Sequence, residues 1–253
     1  MDSQNFNYTY FASYLKSINA VSNSKILDFG CGQGEIVQIL LDHGFDAYGV
    51  DIYHQGLPDE IKNSDLFREK RICAIEVGQR LPFEDVIFDV IISNQVFEHI
   101  VDLVQVMGEL SRILKEDGIM YHRFPSLGVF REGHTGVAFS HWFPNRSKSR
   151  YYFLLFFRAL GFGFHKEQHS SMSKWAKHKA SYLDEKCTYR RYKELMKLFS
   201  AYDVVHKEID VIKYKSKGRP IFEALLKFKY FYSIYKLTYR KLSGMDIELK
   251  RCQ

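Results

Sequence analysis

Cysteine is scarce in this chain and shows no framework. The four residues Cys31, Cys73, Cys187 and Cys252 form no C-x-x-C pair, so they read as isolated, reduced thiols rather than disulfide partners. There is no run of 18 uncharged apolar residues to span a bilayer. The polar start MDSQNFNYTY lacks the charged-then-apolar layout of a secretory signal, and a cytoplasmic location is the expectation. No internal repeat or low-complexity tract is found. What is present suits an ordinary globular core: 253 residues with a hydrophobic fraction of 46% are enough for one large α/β domain, and no second domain is required. The formal net charge is +6. Basic residues concentrate after Lys174, among many tyrosines and phenylalanines. That pattern suits a solvated helical face or an anionic partner, such as a nucleotide-linked sugar or a membrane surface.

Lys25 to Ile52 is the most informative stretch. Lys25-Ile26-Leu27-Asp28-Phe29 reads as a buried parallel strand, Glu35 to Leu41 as a helix, and Ala47 to Val50 as a second strand leading into Asp51. Gly30, Gly32 and Gly34 form G-x-G-x-G, and Glu35 stands where a dinucleotide fingerprint needs its third glycine. A carboxylate there competes with a pyrophosphate for the helix N-terminus. S-adenosylmethionine carries a sulfonium and an ammonium and no phosphate, and so fits better. Asp51 is placed to accept the ribose hydroxyls, and Asp28 can face the ammonium. Cys31 reads as a small residue filling the tight turn.

These residues resemble motif I and the acidic motif II of class I S-adenosylmethionine-dependent methyltransferases. The resemblance continues through Leu81-Pro82-Phe83, Phe88 to Asn94, Val96-Phe97-Glu98-His99 and Leu110 to Gly118. It implies a doubly wound α/β fold with a mostly parallel seven-stranded sheet and a helical insertion between strands 5 and 6. The chain would then divide into a lid helix over 1–24, a cofactor core over 25–124, a substrate loop and cap over 125–200, and C-terminal strands and helix over 201–253. The resemblance also implies cofactor contacts from Asp28, Gly30, Gly32, Gly34, Asp51, Ile52, Asn94 and Gln95. One departure stands out. Where many members carry an aspartate that contacts adenine, this chain has Val77, so backbone near Gly78-Gln79 would have to serve. The tetrad N/D-P-P-Y/F of enzymes that methylate nucleic-acid amines is absent, Ser93-Asn94-Gln95-Val96 standing there instead. No nucleic-acid partner is expected.

Spacing predicts helices over 6–19, 58–69, 102–114, 148–160, 174–199 and 220–240, and strands over 71–77, 88–94, 118–124, 203–215 and 245–250. Between Pro125 and Asn145 lies a loop rich in glycine and histidine. Its Glu132-Gly133-His134 and His141-Trp142-Phe143-Pro144 resemble methyltransferases of polysaccharide and sugar-modification clusters.

A hydroxyl acceptor needs a base, which directs attention to His134, then His141, then His99. His122 reads either as a packed core histidine or as a substrate contact. Arg123 and Arg131 could hold a sugar phosphate, Trp142 could stack on a sugar ring or anchor the loop, and Glu132 joins the substrate-binding set. Glu132, His134 and His141 match no standard zinc spacing, and no metal is expected. The reading is therefore O-methylation of a sugar or other small polar acceptor. Lipid, quinone or amine acceptors are one alternative, and a non-catalytic S-adenosylmethionine-binding protein is another. No transmembrane segment is expected, and peripheral membrane contact is allowed.

Overall fold

Parallel strands need helical crossovers, and the chain supplies them in alternation. The computed structural model describes residues 3–53 and 56–252. Helix α1 spans Ser3–Ser17; the side chain of Phe6, in its predicted apolar stripe, lies outside the described residues. Next come β1 (Lys25–Phe29), α2 (Glu35–Asp42), β2 (Asp46–Asp51), α3 (Asp59–Lys62), α4 (Asp65–Arg68), β3 (Ile72–Ala74), β4 (Phe88–Asn94), α5 (Leu103–Ile113) and β5 (Leu114–Phe124). Helices α6 (Lys148–Ala159), α7 (Met172–Lys186) and α8 (Tyr192–Leu198) lie between β5 and β6 (Tyr202–His206). They are followed by α9 (Glu208–Ser216), α10 (Pro220–Leu225), α11 (Tyr232–Leu242) and β7 (Met245–Arg251).

The seven strands form one sheet in the order β3-β2-β1-β4-β5-β7-β6. The sheet is mixed rather than mostly parallel. Pairings from β3 to β5 are parallel, whereas β7 runs antiparallel to both β5 and β6. Successive side chains point to opposite faces. Ile26 joins the layer containing α1, α2 and Val211 of α9, while Leu27 joins the layer containing Leu103, Met107 and Leu110 of α5. A third cluster, around Trp175 and Leu154, holds α6 to α7. Strand order reverses between β1 and β4, so a crevice opens at their carboxyl ends, where ligands of such sheets bind.

The single helix predicted over 58–69 is split at Asn63-Ser64 into α3 and α4, Ser64 capping the second, and three further predicted elements are corrected. The stretch 203–215 alternates like a strand, but only Tyr202–His206 pairs with β7. Beyond it, Ile209 and Val211 are buried by α9, which packs on α1 and α11. The helix predicted over 174–199 is broken. Residues 187–191 leave helical geometry, the amide of Thr188 donating to the Glu98 carbonyl at 2.6 Å and the amide of Leu127 donating to the Arg190 carbonyl at 2.8 Å. The helix predicted over 220–240 is interrupted by a 3₁₀ turn at Lys229–Phe231.

Candidate active site

The crevice is built from loops that follow β1, β2 and β4. Gly30 and Cys31 donate their amides to the Val50 carbonyl at 2.8 and 3.0 Å, clamping the glycine turn to β2. The carboxylate of Asp51 accepts the Gly32 amide at 2.9 Å and the Tyr53 amide at 3.1 Å. The Tyr53 hydroxyl returns to the Gly32 carbonyl at 2.8 Å. A Cβ on Gly30 would lie 2.3 Å from Val96, so no side chain fits there. A Cβ on Gly32, where φ is +54°, would meet nothing within 4 Å. The loop therefore leaves an open cradle bounded by backbone, as close approach of a ligand requires.

Asp28 gives the second indication of a ligand. It is 1% exposed, and neither carboxylate oxygen has a hydrogen-bond partner among the described residues. Burial, reinforced by the charges of Asp51 and Glu35, pushes its carboxyl up to about 8. A buried carboxylate without a partner is costly unless a cation is brought to it, and the ammonium of S-adenosylmethionine is such a cation. Ile52 is half-buried beside Asp51, and Asn94 ends β4 half-buried. Gln95 follows in left-handed geometry, φ +59°, an uncommon conformation for this residue type that turns the chain at the crevice. Val77 is 79% exposed, and Gly78 has its carbonyl taken by the Gln105 amide at 3.1 Å.

Beyond Gln95 a cavity of about 220 Å³ is lined by Gln95, Arg131, His134, Phe164, Tyr189 and Leu242, among others. His134 is held firmly. Its Nδ1 lies 2.7 Å from Glu132, and its own amide and that of Thr135 donate to the same carboxylate. The Tyr189 hydroxyl donates to Glu132 at 2.6 Å. Burial of Glu132 raises its pKa, but the donors from His134 and Tyr189 outweigh that and hold it down to about 2. An ionised Glu132 accepts the proton of Nδ1–H and leaves Nε2 as the basic nitrogen, the arrangement of a carboxylate-oriented histidine. The Lys179 ammonium donates to the His134 carbonyl at 2.9 Å.

His99 is brought into the same place. Its ring lies 5.0 Å from that of His134, and its Nδ1 is 2.7 Å from the Lys186 carbonyl. Among the described residues, one ligand atom each of His99, His134 and Cys187 lies within 4.8 Å of the others, a grouping able to hold a metal ion. It differs from the Glu132, His134 and His141 set weighed in the sequence.

Apart from Arg131, which lines the cavity with His134, the other predicted residues are placed elsewhere. His122 is wholly buried in β5 with Nδ1 2.8 Å from the Ser93 hydroxyl and its ring 4.1 Å from Phe97. Burial drives it down to about 3, so it is a neutral core residue rather than a substrate contact. Arg123 is also withdrawn from any substrate. Its guanidinium donates to Asp246 at 2.7 Å and lies over the rings of Tyr10 and Phe11. His141 is 5% exposed, packed 4.7 Å from Tyr189, and burial lowers its pKa. Arg131 is exposed and covers the Phe164 ring at 4.7 Å. Trp142 is 47% exposed, anchored through Nε1 to the Leu127 carbonyl at 2.7 Å. It lines a second cavity of about 530 Å³ with Arg191, Tyr192, Leu237, Arg240 and Lys241.

Four residues went unrecognised in the sequence. Tyr53 ties the two cofactor loops, Tyr189 and Cys187 meet His134, and Glu98 is a buried carboxylate with no partner among the described residues. Burial pushes Glu98 up to about 8. Only Glu98 carried a signal, being an acidic residue one position from His99. Tyr189 and Cys187 were hidden inside a stretch that reads as helix.

Residues 27–122 match the family described as methyltransferase domain. Over 114 residues the chain is 28% identical to a malonyl-[acyl-carrier protein] O-methyltransferase of Geobacter sulfurreducens, covering 44% of this chain and 42% of that protein. Over 104 residues it is 31% identical to a ubiquinone biosynthesis O-methyltransferase of Rickettsia typhi, covering 40% and 41%. The chain thus spans less than half the length of these relatives. The plantazolicin methyltransferase, solved with a triazolic desmethyl analogue and S-adenosylhomocysteine, superposes on 98% of this chain and 84% of its own. The TM-score is 0.54 at 12% identity, which establishes a shared fold.

Proposed function

We propose, for a chain whose residues 27–122 form a class I S-adenosylmethionine-dependent methyltransferase domain, that it catalyses methyl transfer to a hydroxyl of a small acceptor bound in the cavity beside Gln95. The observation that carries this reading is His134, which lines that cavity with its Nδ1 held by the buried Glu132. When bound, S-adenosylmethionine supplies an electrophilic methyl group. Asp28, the glycine turn and Asp51 would hold it, with Ile52, Asn94 and Gln95 at its border. A hydroxyl becomes an adequate nucleophile as its proton leaves. Nε2 of His134 takes that proton while Glu132 stabilises the imidazolium. Tyr189 fixes the carboxylate, and Phe164 and Leu242 limit water at the cavity wall.

The acceptor proposed is a sugar or similar polar molecule, supported by the polar lining of the small cavity and by Trp142 with three cations in the larger one. The names of the ubiquinone-biosynthesis relatives favour a second reading, a quinone or other lipid-like acceptor. An acceptor panel of both classes, followed by mass spectrometry for a gain of one methyl group, distinguishes them. With the acceptor so found, His134→Ala should lower turnover by about 10² to 10⁴, the usual worth of a positioned base, with cofactor affinity nearly unchanged. Tyr189→Phe should give a smaller loss. Parental turnover in His134→Ala would place the base elsewhere.

A further inference from the structure

The positive charge of this chain is not spread over it. Residues 217–242 hold seven Lys or Arg and one acid, Glu223, a net of +6 equal to that of the whole chain. The remaining 29 basic residues are balanced by 29 acidic ones. The same 26-residue stretch, which contains α10 and α11, exposes apolar side chains in a way a protein surface rarely does. Ile221, Phe222, Phe228, Tyr230, Ile234 and Leu237 are all exposed, Ile221 at 76% and Tyr230 at 94%. Single exposed apolar residues are ordinary, but a contiguous group interleaved with cations marks a contact surface.

We propose that this α10–α11 surface docks on an anionic lipid bilayer. The charge complementarity is direct. Anionic headgroups attract clustered lysines and arginines, while aromatic and aliphatic side chains enter the boundary between headgroups and acyl chains. Lys227 and Lys229 flank Phe228 and are exposed with it, so charge and apolar area act at one place. Two copies of this chain meeting through the patch would bring together two net charges of +6. Phe222, Phe228 and Tyr230 offer rings to a base or to a bilayer boundary alike, whereas Ile221, Ile234 and Leu237 offer nucleic acid none and suit acyl chains. No helix among the described residues is long and apolar enough to cross a membrane, so the contact is peripheral. Leu237, Arg240 and Lys241 line the larger cavity, and Leu242 of the same helix lines the smaller one with His134, which places the docking surface next to the candidate site. The inference does not depend on the methyl-transfer reading, and its test measures no turnover.

The test is co-sedimentation of the full chain with phosphatidylcholine vesicles containing or lacking phosphatidylglycerol. Binding should require the anionic lipid and should fall as salt is raised. Lys227→Glu with Lys229→Glu should reduce partitioning by about tenfold or more. Phe228→Ser with Ile234→Ser should reduce it at least as much, with the melting temperature unchanged because both side chains are exposed. Failure to sediment with anionic vesicles would overturn the proposal, as would equal binding by the charge variant. A concentration-dependent dimer abolished by the apolar variant would instead assign the surface to a second copy. Displacement from vesicles by single-stranded RNA at parity would assign it to nucleic acid.

Discussion

Asp28 illustrates how one buried carboxylate couples stability to ligand. Its carboxyl titrates at about 8 in the fold, raised by burial and then by Asp51 and Glu35. Between the ordinary carboxylate range and 8, the unfolded chain gives up a proton that the folded chain keeps. The contribution of this group is therefore full in acid and is lost as pH rises through that window. Asp28→Asn removes the dependence, so its melting temperature relative to the parent should increase between pH 4 and pH 8.5. Thermal denaturation at both values checks this. A cation bound beside Asp28 lowers its pKa, so cofactor binding below pH 8 should release a proton. Calorimetry in buffers of different ionisation enthalpy would show that release in the parent and its loss in Asp28→Asn. The same reasoning distinguishes His122 from His134. His122 within β5 is sealed between Ser93 and Phe97, whereas His134 in the loop beyond that strand opens on a cavity.

At the scale of elements, the glycine turn and the β2 terminus act together because Asp51 accepts the Gly32 amide. Asp51→Ala should weaken S-adenosylmethionine binding by roughly 1.5 to 3 kcal/mol, the range for hydrogen bonds to a charged group. Gly32→Val should weaken it further, since its side chain would fill the open cradle and strain a backbone at φ +54°. Unchanged calorimetric affinity in both would refute the cofactor assignment. The elements that misled have a common cause. Residues 208–215 alternate in polarity, yet burial of Ile209 and Val211 against α1 makes them a helix. Residues 187–191 read as helix, yet two tertiary hydrogen bonds pull them out straight. In both places long-range packing overrides local pattern.

At the scale of the whole molecule, β7 joins β5 to the edge strand β6, and a buried network ties β7 to the rest. Asp246 on β7 accepts from Arg123 at 2.7 Å and from the Tyr121 hydroxyl at 2.6 Å, both on β5, while Arg123 lies over two α1 rings. Asp246→Ala leaves a buried guanidinium unpaired and should destabilise the protein by about 3 to 5 kcal/mol. Denaturant melts would check it, and a loss under about 1 kcal/mol would mean the network is not needed.

The apolar runs, the G-x-G-x-G turn and the acid after the second strand are legible in the sequence as a strand–turn–helix–strand unit, because its contacts are made by residues close in sequence and by backbone. The seven-stranded α/β class followed from the family resemblance that those residues carry. The fold alone decided that β7 enters antiparallel, that Arg123 and His122 belong to the core, and that Glu132, His134, Cys187 and Tyr189 meet. Those contacts join residues up to 57 positions apart in the His134 cluster and 123 apart between Arg123 and Asp246, and nothing in local spacing encodes them. Burial is a property of the packed whole, and it is burial that separates His122 in the core from His134 on a cavity wall.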